Sequence, residues 1–367
     1  MKSKYNFQVK YNPAIIIEEG SLLRLPEIIN SGAYFPLPRR FILVVDRAFH
    51  DANGDLLGKF VKDIKSEALI WPFESGENAK SLPGLMKILD FCSKNSIKRD
   101  DAIGVIGGGT LCDMIAFAAS VYLRGIHMIN IPTTLISCVD PVFGKAAINH
   151  GGVKNLIGSY FVPDLTLIDV SFLKKDSRRY YVTGIAEVIK SAFIDSKRSV
   201  DELEADMAGL VGMDNGIIDK YVKLGIKVKT SCVLGDELGL RGKHFRLSLG
   251  HNLADILEMA DLPDRLTHGE SVALGMIFAA YVNGRINPGS SHLLSRTKAL
   301  ISAAGLPTRP NSNAIQPDKI LDLLRKSKKN YDKGISLVVL NDYGKVDNAN
   351  NVDPEIVKEG IGYLINE

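Results

Sequence analysis

Short apolar runs and amphipathic stretches alternate along the first half of the chain. Four runs are continuously apolar: Phe41–Asp46 (FILVVD), Ala102–Ile106 (AIGVI), Met128–Ile131 (MINI) and Leu165–Val170 (LTLIDV). A strand with one face in water alternates apolar and polar residues, whereas an unbroken run suits a strand covered on both faces, as in a parallel sheet. Between these runs, Leu85–Phe91 (LMKILDF) and Leu111–Tyr122 carry apolar residues at helical spacing. The alternation predicts a doubly wound α/β domain over residues 1–175. From residue 176 to 367 the helical period dominates, in Gly184–Asp195, Ile217–Leu234, Gly250–Met259, Gly269–Val282 and Ile320–Lys326, and strand character returns at Ile335–Leu340 (ISLVVL). A mainly α-helical second domain is expected there. The basic run Arg325–Lys333 reads as a solvated helix end and loop.

Composition narrows the setting. With 45 basic and 42 acidic side chains the net charge is only +3, so charge gives no reason to expect a nucleic-acid or membrane partner. The opening MKSKYNFQVKYNPAIII is polar and broken by Pro13, unlike a signal peptide. No stretch approaches the roughly 20 apolar residues of a membrane span. Cys92, Cys112, Cys138 and Cys232 are scattered with no C-x-x-C pair, which suits buried, reduced thiols in a cytoplasmic protein.

The polar residues that interrupt this pattern carry the candidate chemistry. The run Ala102–Ile106 leads into Gly107-Gly108-Gly109-Thr110 and then a helix. Glycines there let backbone amides approach phosphate oxygens, aided by the helix dipole; the same residues also suit a plain tight turn. Asp46 closes FILVVD, where an acid can hold an adenosine ribose or simply cap a helix. Gly76–Ser81 (GENAKS) and Pro132-Thr133-Thr134 add polar loop groups after apolar strands, where doubly wound sheets bind ligands. In the helical region, Glu187 lies in GIAEVIK with Lys190 on the same face, His251 opens GHNLADILE, and His268 opens HGESVALGMIFAA. One carboxylate and two imidazoles form a common divalent-metal set; capping and local carbonyl bonds are the alternative. Finally, Val139–Tyr160 (VDPVFGKAAINHGGVKNLIGSY) gathers Asp140, Lys145, Asn149, His150, Lys154 and Asn155 among apolar residues. Its lysines suit an anionic ligand such as a phosphate ester, and its glycines suit a solvated crossover loop.

Taken together, GGGTLCDMIAFAASVYLRGIHMINIPTTLISCVD, KAAINHGGVKNLIGSYFVPDLTLIDVSFL and GIAEVIKSAFID resemble the 3-dehydroquinate synthase family, the sugar-phosphate cyclases, over nearly the whole chain. The resemblance implies a Rossmann-like NAD-binding N-terminal domain joined to a helical metal-binding domain, with the active site between them. It implies Glu187, His251 and His268 as metal ligands, for zinc with cobalt or iron as alternatives. Asp46, Glu77, Lys80, Gly108, Gly109, Asp113, Thr133 and Thr134 match NAD-holding positions. Asp140, Lys145, Lys154, Asn155, Lys190 and Lys229 match substrate-contacting positions. Arg124, in YLRG, matches an arginine that reaches a neighbouring subunit, which implies a homodimer. A lysine at 328 or 329 aligns loosely with a further phosphate contact. The implied reaction is transient oxidation of a ring alcohol by NAD, elimination of phosphate, return of the hydride, and intramolecular aldol closure of a carbocycle.

The chain departs from the shikimate-pathway pattern in places. The motif GHTxGH is here GHNLAD, with Asp255 in place of the second histidine and facing the same way as His251. Ser248 stands where asparagine is usual, and His244 where an arginine takes the substrate carboxylate, with Arg241 and Arg246 nearby. One residue is missing between Asp140 and Lys145. NHGGVKN and GSY look more like cyclases of secondary metabolism than the usual NHPLGKN, whereas Lys229 matches carboxylate-binding dehydroquinate synthases. A specialised cyclase acting on sedoheptulose 7-phosphate is expected, as in cyclitol biosynthesis, with 3-dehydroquinate synthase of aromatic amino acid biosynthesis as the alternative. A metal-dependent polyol dehydrogenase is a rival that KNLIGSYFVP and the Glu187/Lys190 pair oppose. A non-catalytic binding protein is another, opposed by the intact metal set.

Overall fold

A computed structural model describes residues 13–366, apart from 176, 237–241, 259–264, 311–314 and 327–333. Arg241, Lys328, Lys329 and most of the basic run therefore lie outside the described residues. In chain order the strands are β1 (Ala14–Ile17), β2 (Arg40–Asp46), β3 (Glu67–Phe73), β4 (Ala102–Gly107), β5 (His127–Pro132), β6 (Ala146–His150), β7 (Val153–Ser159), β8 (Leu165–Ile168), β9 (Leu337–Asp342) and β10 (Lys345–Ala349). The early helices are α1 (Leu25–Asn30), α2 (Arg47–Ala52), α3 (Gly54–Asp63), α4 (Leu82–Lys94), α5 (Gly109–Val121) and α6 (Leu135–Val139). The later ones are α7 (Arg178–Asp195), α8 (Lys197–Val211), α9 (Asn215–Val233), α10 (His251–Leu257), α11 (His268–Ile286), α12 (His292–Ala303), α13 (Pro317–Lys326) and α14 (Pro354–Asn366).

Six parallel strands form one sheet in the order β1-β8-β5-β4-β2-β3. The continuous apolar runs have the reason anticipated. In β2, Ile42 and Val44 pack into the core on one face of the sheet while Phe41, Leu43 and Val45 pack into the core on the other. The strand β3, EALIWPF, carries Pro72, which the ladder tolerates because β3 is an edge. A larger core joins the later helices and reaches back to α6 through Leu135, Cys138 and Val139.

The segment after Val139 is more ordered than a crossover loop. β6 and β7 form an antiparallel hairpin, with His150 opposite Val153 and Gly151-Gly152 at the turn. Both glycines have positive φ, 56° and 74°, as a tight two-residue hairpin turn requires. The hairpin is pinned to the loop before α4, where Asn149 N–H donates to the Lys80 carbonyl at 2.9 Å.

Candidate active site between the sheet and the helices

In a parallel sheet the strand ends of one sense share an edge, and loops leaving it converge. Asp46, Gly107–Gly109 and Thr133–Thr134 all follow the ends of β2, β4 and β5. Gly108 caps α5, and a Cβ there would lie 3.2 Å from Thr134 Cγ2, so the turn is tight. Asp46 caps α2, accepting from the Ala48 and Phe49 amides at 3.0 and 3.3 Å, while Ser75 Oγ donates to its other oxygen. Thr134 caps α6 in a reciprocal box with Ser137, and Thr133 N–H donates to Gly107 O at 2.9 Å.

The Lys80 ammonium is buried between Asp113 Oδ2 at 2.5 Å and Asn155 Oδ1 at 2.7 Å. It thereby joins the strand edge to the hairpin. Glu77 accepts from Asn149 Nδ2 at 3.0 Å and lies 3.6 Å from Lys154 Nζ. Asp140 pairs with Lys229 at 2.5 Å, and Lys229 also donates to the Pro141 carbonyl. Burial pushes the Asp140 carboxyl up, but Lys229 and Lys190 together hold it below its ordinary value. Lys145 is exposed just ahead of β6. Arg124 lies on an exposed turn with φ 66°, and makes no ion pair with a described residue.

Three helices bring the predicted metal set together. Glu187 in α7, His251 at the start of α10 and His268 at the start of α11 present ligand atoms all within 4.8 Å of one another. Glycines make this convergence possible. A Cβ on Gly269 would overlap the Thr183 carbonyl, and one on Gly275 would overlap the Gly250 carbonyl. These two contacts draw α11 against α7 and against the turn that opens α10, each within a few residues of a ligand.

The donor set fits a divalent cation. Glu187 is 1% exposed, and neither of its carboxylate oxygens accepts a hydrogen bond of ordinary geometry. His251 Nδ1 faces the Leu249 carbonyl at 3.2 Å, and His268 Nδ1 faces Glu258 Oε1 at 2.9 Å. Both Nε2 atoms point to Glu187 Oε1, at 3.6 and 3.3 Å. Burial and the adjoining Lys190 cation push His251 down to about 4, leaving a neutral imidazole. Burial works the same way on His268, but Glu187 and Glu258 outweigh it and hold its proton up to about 10. A field that retains a proton so firmly also favours a metal cation. Lys190, itself buried, contacts Glu187 and donates to the Leu247 carbonyl at 3.0 Å.

Sequence reading missed Glu258. It is 8% exposed and takes both His268 Nδ1 and Lys154 Nζ. It stands seven residues after His251 and three after Asp255, a helical-face spacing that marks it once α10 is recognised. Near the departures from the family pattern, His244 is buried with Nε2 on the Asp236 carbonyl at 2.6 Å. Arg246 donates to the Ile194 and Gly344 carbonyls at 3.0 and 3.4 Å.

Comparison with known proteins agrees with this architecture. Residues 70–183 match the family model described as 3-dehydroquinate synthase N-terminal, and residues 184–330 match 3-dehydroquinate synthase C-terminal. A 3-dehydroquinate synthase of Dehalococcoides mccartyi is 32% identical over 85% of this chain and 86% of its own length. That of Geobacillus thermodenitrificans is 31% identical over 91% and 90%. Among solved structures, 2-epi-5-epi-valiolone synthase from Streptomyces hygroscopicus, with NAD+ and Zn2+ bound, superposes with a TM-score of 0.86 at 23% identity, covering 99% of each chain. A probable glycerol dehydrogenase from Sinorhizobium meliloti superposes with a TM-score of 0.66 at 17% identity, covering 97% of each.

Proposed function

The chain belongs to the 3-dehydroquinate synthase family, and from that premise we propose that it cyclises a sugar phosphate lacking a carboxylate, such as sedoheptulose 7-phosphate. The broader activity follows from membership: it is a sugar-phosphate cyclase, a carbon–oxygen lyase acting on phosphate with NAD and a divalent metal. The observation that carries the reading is the convergence of Glu187, His251 and His268 beside a lysine-rich cleft.

Residues 1–175 are assigned to NAD and residues 176–367 to metal and substrate. The amides of Gly108 and Gly109 at the start of α5 suit a pyrophosphate, and Thr133 and Thr134 flank that turn. Glu77, Lys80 and Asp113 brace the same edge, and Asp46 caps the helix beside it. Glu187 and the Nε2 atoms of His251 and His268 would hold the metal, for which zinc is favoured by the carboxylate and two imidazoles. When bound, NAD supplies a hydride acceptor and the metal a Lewis acid for the ring oxygen. Lys154, Lys190, Lys229 and Lys145 stabilise charge on the phosphate and on the carbanion flanking the ketone, with Asp140 holding Lys229. Asn155, beside Lys154 in β7 with φ 51°, accepts from Lys80, and Asp255 lies one turn from His251 on α10, close enough for its charge to act on His251 and Lys154. Arg124, on its exposed turn, is suited to completing the pocket of a partner in a homodimer. A cytoplasmic setting suits an enzyme that uses NAD and small metabolites.

Support for a substrate without a carboxylate comes from His244 and Arg246. The first is buried on a backbone carbonyl, and the second gives one guanidinium nitrogen to two others. Inorganic phosphate release from sedoheptulose 7-phosphate and from 3-deoxy-D-arabino-heptulosonate 7-phosphate, measured in parallel with NAD and zinc, tests this. Release from the first alone is expected; release from the second alone makes the chain a 3-dehydroquinate synthase.

A further inference from the structure

We propose that Glu258 is a positioning residue that sets the metal ligand His268 and the substrate lysine Lys154 at the same time, tying the two sides of the cleft together. The proposal rests on the metal reading above and adds a residue to it.

Glu258 follows the last residue of α10, and its side chain is 5% exposed. Its Oε1 lies 2.9 Å from His268 Nδ1, and its Oε2 is in contact with Lys154 Nζ. A carboxylate only accepts, so His268 must donate from Nδ1, which makes Nε2, 3.3 Å from Glu187 Oε1, the nitrogen that would exchange its proton for the shared ion. Outer carboxylates of this kind fix the tautomer and ring angle of a metal histidine and raise its basicity. The second oxygen works across the cleft. Lys154 stands in β7, 104 residues earlier in the chain, and also lies 3.6 Å from Glu77. A buried acid needs a counter-charge, and the partly buried Lys154 supplies one.

The helix α10 thus supplies a metal ligand at its start and the orienter of another just past its end. Any shift of the hairpin that moves Lys154 pulls on the residue that orients His268. Metal geometry and substrate contact are therefore coupled through one side chain.

Glu258→Gln is the informative variant, because it keeps size and shape but has only one accepting oxygen for two donors. The probes are zinc alone, by competition with a chromogenic chelator, the visible spectrum of the cobalt-substituted protein, and KM against kcat for the sugar phosphate. The expected result is a loss of about 10–100-fold in zinc affinity with an altered cobalt spectrum, or a rise in KM of at least about tenfold if the glutamine turns its oxygen to Lys154. Lys154→Met is expected to raise KM and, because it releases one oxygen of the carboxylate that orients His268, to lower zinc affinity by less than Glu258→Gln does. Wild-type zinc affinity, cobalt spectrum and KM in Glu258→Gln would overturn the proposal while leaving the metal reading intact. Failure of the wild-type protein itself to bind zinc would overturn both.

Discussion

His268 is bonded at Nδ1 to Glu258 and turns Nε2 toward Glu187, an arrangement that suits the proposed ligand better than a helix-capping histidine. His268→Ala should lower zinc affinity by more than the roughly 10–100-fold that losing an outer partner costs. Chelator competition reads this directly, and an unchanged affinity would place the ion elsewhere. A second histidine has a purely structural part. His127 bonds Asp164 at 3.1 Å and stacks on Phe35 with centroids 5.3 Å apart. The Asp164 hydrogen bond raises its pKa, against partial burial and with help from Asp164 and Asp100 charges. Because the folded value is raised, the bond's stabilisation is complete below the unfolded value of about 6.5 and is lost as pH rises through the folded one. His127→Gln should remove that slope from urea-unfolding curves between pH 6 and 9, by under about 1 kcal/mol since the pair is partly solvated.

Two close helix contacts shape the proposed metal site at the scale of elements. Alanine normally stabilises a helix interior over glycine by about 1 kcal/mol. At Gly269 and Gly275 the sign should reverse, because the added methyl group meets backbone carbonyls that cannot yield. Gly275→Ala should cost about 1–3 kcal/mol in unfolding free energy, as overpacked cores do, and weaken zinc binding with it. A stabilised variant would mean that α10 and α11 are free to move apart. Among the described elements, about half were legible as continuous or periodic runs. The unbroken runs FILVVD and AIGVI gave β2 and β4 within a residue, and α5 and α9 were found within two residues at each end. Amphipathic helices such as α3 and α8 went unread, and so did elements whose pattern was interrupted. Pro72 disguises β3, whose edge position removes the objection to it. The hairpin β6–β7 hid among polar residues, although NHGGV carries its turn. Glu258 was overlooked because histidines draw the eye to a metal motif, and its role depends on Lys154 and His268, distant in sequence.

The whole molecule places the strand edge proposed for NAD opposite the Glu187–His251–His268 cluster proposed for the metal, with a charged chain of Glu77, Lys154, Glu258, His268 and Glu187 running between them. Polyol dehydrogenases share the general fold, as the Sinorhizobium meliloti structure illustrates. The fold therefore does not decide between net oxidation and cyclisation; membership of the 3-dehydroquinate synthase family does. A cyclase borrows a hydride and returns it, so product forms while the nicotinamide pool stays constant. The most direct test follows inorganic phosphate and absorbance at 340 nm together, with purified protein, zinc and NAD, and with sedoheptulose 7-phosphate, 3-deoxy-D-arabino-heptulosonate 7-phosphate and a simple polyol in parallel. The account predicts phosphate release over many turnovers with no net NADH. Accumulating NADH from a simple polyol, with no phosphate released from either sugar phosphate, would contradict it.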